Sequence, residues 1–188
     1  MKLLAICRVI FATALAVTTA SGQITTSQYD NQRTGATLTE TLLNPQNVNA
    51  KQFGKLGAFK VDGAVFAQPL LIPALEIPGK GKHNVIFIAT EHDSVYAFDA
   101  DRPNEGPLWQ VNFLDSKRGV STVPDRDVQC PLLYAFDATH IDQPLYTSEQ
   151  NSQRDRAAMA TRFVVPIVAN GHVYFSARGE VEVYGLLK

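Results

Sequence analysis

Residues 95–100 read Val-Tyr-Ala-Phe-Asp-Ala, and residues 134–138 repeat the last five of these letters 38 positions further along. Val, Tyr and Phe favour strands, while an Asp at the end of such a run favours a turn. Each copy precedes a similar triplet, Pro-Leu-Trp at 107–109 and Pro-Leu-Tyr at 144–146. The sequence therefore predicts a repeated pair of strands. The repeat motif consists of Tyr96, Ala97, Phe98, Asp99 and Trp109, with Tyr134, Ala135, Phe136 and Asp137 in the second copy.

The rest of the chain after residue 52 has the same character. Short runs rich in Val, Ile, Phe and Tyr alternate with clusters of Gly, Pro, Asp and Asn, which is typical of many short strands joined by turns. The predicted strands are 55–61, 65–72, 84–90, 94–99, 108–113, 132–137, 144–147, 162–168, 172–177 and 180–186. Residues 151–160 are short and charged, and they predict a loop or a single helical turn. The chain is thus predicted to be all-β.

The repeats predict a particular all-β architecture. Residues 68–72, 85–90 and 94–96 are echoed more weakly by 165–168, 172–177 and 182–184. Four strands in a unit of about 40 residues are typical of a β-propeller blade. A closed propeller contains at least four such blades, or about 16 strands, and the chain offers ten. We therefore expect a partial β-propeller of four-stranded antiparallel blades, about two to three in number, whose ring one chain cannot close.

The motif resembles a known repeat. Residues 95–99 followed by Leu108 and Trp109 are similar to the pyrroloquinoline quinone (PQQ) repeat of the quinoprotein alcohol dehydrogenase-like β-propeller superfamily, and longer blocks resemble secreted bacterial proteins that carry it. The resemblance implies that strand 55–61 pairs beside 180–186 and completes the last blade. It also implies that Trp109 docks between neighbouring blades, whereas a plain core position on an alternating strand is the alternative. Both alternatives bury Trp109.

The chain departs from the family pattern in its interior. Family members are longer, and residues 114–130 carry charges and turn formers where a second repeat would place its first two strands. The repeat resumes at Pro131 in the middle of a blade. We interpret this as an internal deletion with a junction near residues 129–131, which arises either in the genome or from an error in the gene model. Because isolated blades leave faces uncovered, we expect the protein to be marginally stable alone and to associate, with a homo-oligomer as one arrangement.

The N-terminus predicts export. A positive segment ends at Arg8, an apolar run covers residues 9–17, and small residues follow, which is typical of a secretory signal peptide. We assign residues 1–22 to the signal, 23–52 to an extended N-terminal arm and 53–188 to incomplete PQQ-like repeats. The predicted location is secreted or periplasmic. Cys7 leaves with the signal, and Cys130 remains as the one thiol of the mature chain.

Charge and motifs narrow the function. Lys and Arg total 17 against 18 Asp and Glu, so a nucleic acid is not the expected partner, and no later run is long enough to span a membrane. The superfamily's enzymes hold PQQ and Ca²⁺ on the ring axis, so the resemblance implies these cofactors only if a closed ring forms. No catalytic or metal-binding residue is assigned. His92-Asp93 and the calcium-like loop 99–106 are interpreted as turns, in which Asp99 accepts backbone N–H groups.

Three functional hypotheses follow. The first is a secreted, non-catalytic binding or scaffold module, because propellers without a cofactor present their surfaces to protein or carbohydrate partners. The second is the remnant of a PQQ-dependent quinoprotein oxidoreductase. The third is a truncated product without independent function.

Overall fold

The computed structural model describes residues 22–119, 121–122, 128–129, 132–161 and 164–188. The predicted signal peptide up to residue 21, Cys7, Cys130 and most of the predicted junction lie outside the described residues. So does the start of the predicted strand 162–168.

The described chain is built from strands and one helical turn. In chain order the strands are β1 (Phe53–Ala64), β2 (Leu70–Ile77), β3 (Gly81–Ala89), β4 (Ser94–Asp99), β5 (Trp109–Asn112), β6 (Val128–Gln129), β7 (Tyr134–Asp137), β8 (His140–Thr147), β9 (Ala160–Thr161), β10 (Ile167–Ala169) and β11 (His172–Leu186). The helical turn α1 covers Ser152–Asp155, within the segment predicted to be a loop or a single turn. A 3-10 turn covers Ser116–Arg118.

These strands form three antiparallel sheets. The meander sheet has the order β2-β3-β4-β5, so each of its strands pairs with the next one along the chain. The central sheet has the order β1-β11-β9-β6, with β10 also pairing β11. The aromatic hairpin consists of β7 and β8. The predicted all-β class is therefore confirmed.

The pairing of β1 with β11 joins the first strand of the described residues to the last one. Its register runs from Phe53 opposite Leu186 to Ala64 opposite Arg178. The expected pairing of strand 55–61 beside 180–186 is confirmed. A register shift at Leu56 reverses the faces of β1, because one extra residue changes which side of the sheet each later side chain points to. Phe53 and Phe59 therefore belong to different hydrophobic clusters.

The central sheet lies between the other two sheets. On one face, Phe59, Val181 and Val183 pack with Tyr96 and Phe98 of the meander sheet in the largest hydrophobic cluster. The Phe59 and Phe98 ring centroids are 4.9 Å apart. On the opposite face, Phe53 and Tyr184 pack with Leu133 and Tyr146 of the aromatic hairpin. Residues 180–185 are consecutively buried because β11 is covered on both faces.

Four strand predictions are wrong in their bounds, and one of them, 162–168, is not a strand over its described residues 164–166. Residues 172–177 and 180–186 form the single strand β11. Gly179, at φ +77°, lies at an irregularity in the pairing with β1 and does not form a hairpin turn. Predicted strand 65–72 starts later, at Leu70, and continues through Pro73 to Ile77. A register shift between Ile72 and Leu75 accommodates Pro73, which has no N–H to donate to the sheet.

The N-terminal arm is docked on both larger sheets. Ile24 exchanges two backbone hydrogen bonds with Leu71 of β2, at 2.8 and 2.7 Å, and its side chain is only 2% exposed. Further along, the Tyr29 hydroxyl accepts a hydrogen bond of 2.6 Å from the backbone N–H of Val168 in β10. The Glu40 carboxylate accepts one of 2.9 Å from the N–H of Gly171. The arm thus connects the meander sheet to the central sheet.

We predict that Ile24→Ala lowers the free energy of unfolding by about 2–5 kcal/mol, the usual loss for a large aliphatic side chain removed from a core. Leu38→Ala is the matched control in the same arm. Its side chain is 94% exposed, so its effect should stay within about 0.5 kcal/mol. Urea denaturation followed by circular dichroism measures both. Equal effects of the two substitutions would show that the arm is not docked.

Candidate functional site

The two copies of the repeat motif share strand pairing and ring stacking, although β7-β8 has two register shifts that β4-β5 lacks. Ala97 of β4 lies opposite Trp109 of β5, and Ala135 of β7 lies opposite Tyr146 of β8. The two aromatic residues that flank the Ala also match between the copies. The rings of Tyr96 and Phe98 stack at 5.7 Å with an interplanar angle of 13°, and those of Tyr134 and Phe136 stack at 5.9 Å with an angle of 20°. The sequence repeat is therefore also a repeat of strand pairing and ring stacking.

The motif Asp ends its strand in the same way in both copies. An Asp99 carboxylate oxygen accepts a 3.0 Å hydrogen bond from the Asp101 N–H, and Asp137 accepts one of 2.8 Å from the Thr139 N–H. The expected turn-fixing role of Asp99 is confirmed. Hydrogen bonds from the hydroxyl and N–H of Thr139 hold the pKa of Asp137 below its ordinary value. Both motif carboxylates are thus used to form turns.

A histidine adds a second contact to the first turn. His83 Nδ1 lies 2.8 Å from Asp99 Oδ2, and its Nε2 lies 2.8 Å from the Lys80 carbonyl oxygen. Both acceptors favour the protonated ring. The side-chain hydrogen bond to Asp99, followed by that to Lys80, raises the pKa of His83 above its ordinary value. This pair ties the β2-β3 turn to the end of β4.

One face of the meander sheet packs on the central sheet, whereas its other face has a small cluster of its own, in which Ala97 is buried, and carries exposed apolar side chains on β5. We define its open face by Phe87, Ala97, Trp109, Val111 and Phe113. The paired residues Phe87, Ala97 and Trp109 lie side by side on three neighbouring strands, with the Phe87 and Trp109 rings 5.9 Å apart. Val111 and Phe113 continue the alternation of β5. No described residue of another sheet belongs to the small hydrophobic cluster on this face.

The predicted burial of Trp109 is wrong. Its side chain is 38% exposed, as is that of Val111, and Phe113 is 61% exposed. The reason is that β5 is the edge strand of the meander sheet and all four of its residues are exposed. An exposed apolar stripe on an edge strand, over which no described residue of another sheet packs, is typical of an interaction surface.

The aromatic hairpin carries a second exposed apolar feature. Its Ala135 and Tyr146 side packs on the central sheet, whereas Tyr134 and Phe136 are 48% and 46% exposed. These two residues border a pocket of about 260 Å³. The pocket is lined almost wholly by apolar and aromatic side chains, including Phe53, Val168 and Val173. We refer to it as the hairpin pocket.

A charged network lies on the hairpin side of the central sheet. Glu182 is fully buried, and its carboxylate accepts hydrogen bonds from the Lys55 ammonium, from the Ala158 N–H at 2.8 Å and from the Tyr184 hydroxyl at 3.1 Å. Lys55 also lies 3.5 Å from Glu180, which pairs with Lys60 as well. The buried carboxylates of Glu180 and Glu182 in this network therefore each have a lysine ammonium beside them.

Asp155 extends the network to the helical turn α1. It accepts hydrogen bonds from the Lys55 N–H at 3.0 Å and from Arg154 Nε and Nη2 at 2.6 Å each. Burial raises the pKa of Asp155, but these hydrogen bonds together outweigh it and leave the pKa below its ordinary value. The buried carboxylate thus stays ionised and holds α1 against β1.

Sequence reasoning missed this network. Glu180 and Glu182 alternate with Val181 and Val183, a pattern that predicts one face in solvent. In the structure, α1 and the segment after it cover that face. One residue in the sequence could have indicated this network. Lys55 places a positive charge in predicted strand 55–61, which the resemblance pairs with the strand that contains Glu180 and Glu182.

The turns considered as metal sites hold protein contacts instead. His92 lies against Gly63, and Asp101 Oδ2 accepts a 2.8 Å hydrogen bond from the Asn84 side-chain amide. Asn104 of the calcium-like loop donates to and accepts from the backbone of β1. Among the described side chains, no three His, Cys, Asp or Glu residues converge as metal ligands. No helix in the described ranges has the length and hydropathy of a membrane span.

No family model, curated protein or solved structure matches the chain.

We predict that Lys55→Met lowers the free energy of unfolding by about 3–5 kcal/mol, because it leaves the buried Glu182 carboxylate without its cation. Lys60→Met is the control on the same strand. The Lys60 side chain is 77% exposed, so its loss should cost no more than about 1 kcal/mol. Urea denaturation of both variants checks this. A Lys55 variant as stable as the Lys60 variant would contradict the importance of the network.

We predict that the pKa of His83 is higher than that of free histidine and that the pKa of His172 is lower. The pKa of His83 is raised by Asp99, while burial lowers that of His172. The His83 contribution to stability is accordingly complete below the unfolded pKa and is lost as pH rises through the folded pKa. The ring-proton shifts in NMR measure both values, and Asp99→Asn should lower the pKa of His83 alone. A His83 pKa at or below that of free histidine would contradict the Asp99 pairing.

Proposed function

We propose that the protein is an exported, non-catalytic interaction module built from PQQ-like repeats, with its sheets arranged as part of a β-propeller. The first support is the repeat itself. Two motif copies share strand pairing, ring stacking and the closing Asp turn, as described above. Residues 1–22 serve as the signal peptide in this proposal, so the protein is secreted or periplasmic.

The order of the sheets in space also supports a propeller arrangement. Along the chain, the meander sheet and the hairpin follow β1 and precede β11. In space, the central sheet made by β1 and β11 lies between the other two sheets. A ring closed by joining its first strand to its last places the closing blade between the first blade and the penultimate one. The proposed internal deletion then accounts for the missing neighbours of the two outer layers.

The observation that carries the proposal is the open face of the meander sheet. Trp109, Val111 and Phe113 expose a contiguous apolar stripe on it. A monomeric protein keeps such stripes small, and larger ones mark binding sites for other proteins. The neighbouring motif residues have structural roles, since Tyr96 and Phe98 pack in the core and Asp99 fixes a turn. A protein partner that supplies an apolar face is therefore the partner that this surface fits.

The test uses the single tryptophan of the chain as the reporter. The full chain is produced with export and diluted until it is monomeric, and the apolar dye anilinonaphthalene sulfonate is added. We expect energy transfer from Trp109 to bound dye, and we expect Val111→Lys to abolish it. Leu38→Lys, at an equally apolar but isolated exposed position, should leave it unchanged.

Three results would overturn the proposal. The first is the absence of transfer in the wild type, and the second is an unchanged transfer in Val111→Lys, which would mean that the dye binds away from this face. The third is a bound-cofactor absorbance and a raised melting temperature when PQQ and Ca²⁺ are added together. That outcome would favour the quinoprotein oxidoreductase remnant instead.

A further inference from the structure

We propose that the open face of the meander sheet is covered by the aromatic hairpin of a second copy of this chain, and that two copies close into one ring of sheets. This inference rests on the proposed function and names its partner. It requires that the open face of the meander sheet fits the exposed side of the aromatic hairpin. Because the two sheets carry copies of one motif, their faces can be compared residue by residue.

The repeat shows that every motif strand has two kinds of face. One bears the stacked aromatic pair, Tyr96 and Phe98 or Tyr134 and Phe136. The other bears the small residue and its aromatic partner, Ala97 with Trp109 or Ala135 with Tyr146. We call these the stacked face and the Ala face. Each describes one side of the meander sheet or of the hairpin.

The central sheet covers one face of each kind. It packs against the stacked face of the meander sheet through Phe59, and against the Ala face of the hairpin through Phe53 and Tyr184. What remains uncovered is the Ala face of the meander sheet and the stacked face of the hairpin. These are the same two kinds of face, left at opposite ends of a three-layer stack. A second copy therefore continues the interfaces that already exist within one chain.

The exposed side chains suit such a contact. Phe113 is 61% exposed beside Trp109 on the open face, and Tyr134 and Phe136 are 48% and 46% exposed on the stacked face of the hairpin. Large aromatic side chains that become buried at a contact supply much of the binding energy of a protein interface. Trp109 and Phe113 of one copy accordingly pack on Tyr134 and Phe136 of the other.

The remaining parts of residues 22–188 are too short to cover the open face. The stretches outside the described structure are residues 120, 123–127, 130–131 and 162–163. None is longer than five residues, whereas the meander sheet is four strands wide. Two copies of a three-layer arc make six layers, within the four to eight blades that closed propellers contain. A two-fold axis then repeats the same contact twice.

The experiment measures the mass of the full chain, exported and purified, by size exclusion with light scattering over a range of concentrations. The wild type should form a discrete species of twice the monomer mass. Val111→Lys on the open face and Phe136→Lys on the hairpin should each weaken this dimer by about 30-fold or more. Leu38→Lys is the control and should leave the mass unchanged. Circular dichroism verifies folding, and Phe113→Lys and Tyr134→Lys are second variants of the two surfaces.

Mixing the variants separates this contact from other modes of association. A Val111→Lys chain keeps its hairpin, and a Phe136→Lys chain keeps its open face, so an equimolar mixture should regain a 1:1 dimer through one intact contact. A mixture that stays monomeric would overturn the proposal. So would a Phe136→Lys variant that dimerises like the wild type, because the open face would then pair with itself.

A wild type that is monomeric at every concentration would also overturn the second copy as the partner. The proposed function would survive that result if Trp109 still transferred energy to bound dye. It would fail together with this inference if the dye signal were absent as well.

Discussion

The antiparallel pairing of β1 with β11 is the constraint on which the rest of the structure depends. It brings Phe53 opposite Leu186 and creates the sheet that packs against both the meander sheet and the aromatic hairpin. Because both faces of this layer are covered, its charged side chains have to be paired inside the protein. Lys55, Glu182 and Asp155 meet that requirement through direct hydrogen bonds to one another's charged groups or backbone. Packing and electrostatics thus depend on the same strand pair.

Sequence reasoning identified the elements that rest on local pattern. Strand β4 has the predicted bounds, and the class of the fold follows from the alternation of strand formers with turn residues. The pairing of β1 with β11 is too distant for local pattern and came from the family resemblance. The predicted strands stop before Pro73 and Gly179, because these residues usually end a strand. In the structure both strands continue, since the partner strand accommodates an irregularity at each position, and local sequence does not show the partner. The burial of Glu182 and the exposure of Trp109 depend on which layers are present, and the sequence of a single strand does not encode that.

The two motif copies share strand pairing and ring stacking but differ in what covers them. Tyr96 and Phe98 are buried against the central sheet, whereas Tyr134 and Phe136 are about half exposed. Conversely, Tyr146 is fully buried and its counterpart Trp109 is not. Local geometry in this protein is therefore set by the repeat, and burial is set by position in the stack. The motif aromatic residues that stay exposed in the described chain are therefore Trp109 in the first copy and Tyr134 and Phe136 in the second.

The placement of β11 also affects how the protein forms in time. During synthesis β1 emerges early, but its partner, residues 178–186, emerges more than a hundred residues later. Until then Lys55 has no buried carboxylate, the central layer does not exist, and the earlier sheets have nothing to fold onto. Pairing across such a sequence separation is slow and adds little stability until it is complete. The central layer, and the burial of Lys55 and Glu182 within it, therefore forms only after residues 178–186 have been made.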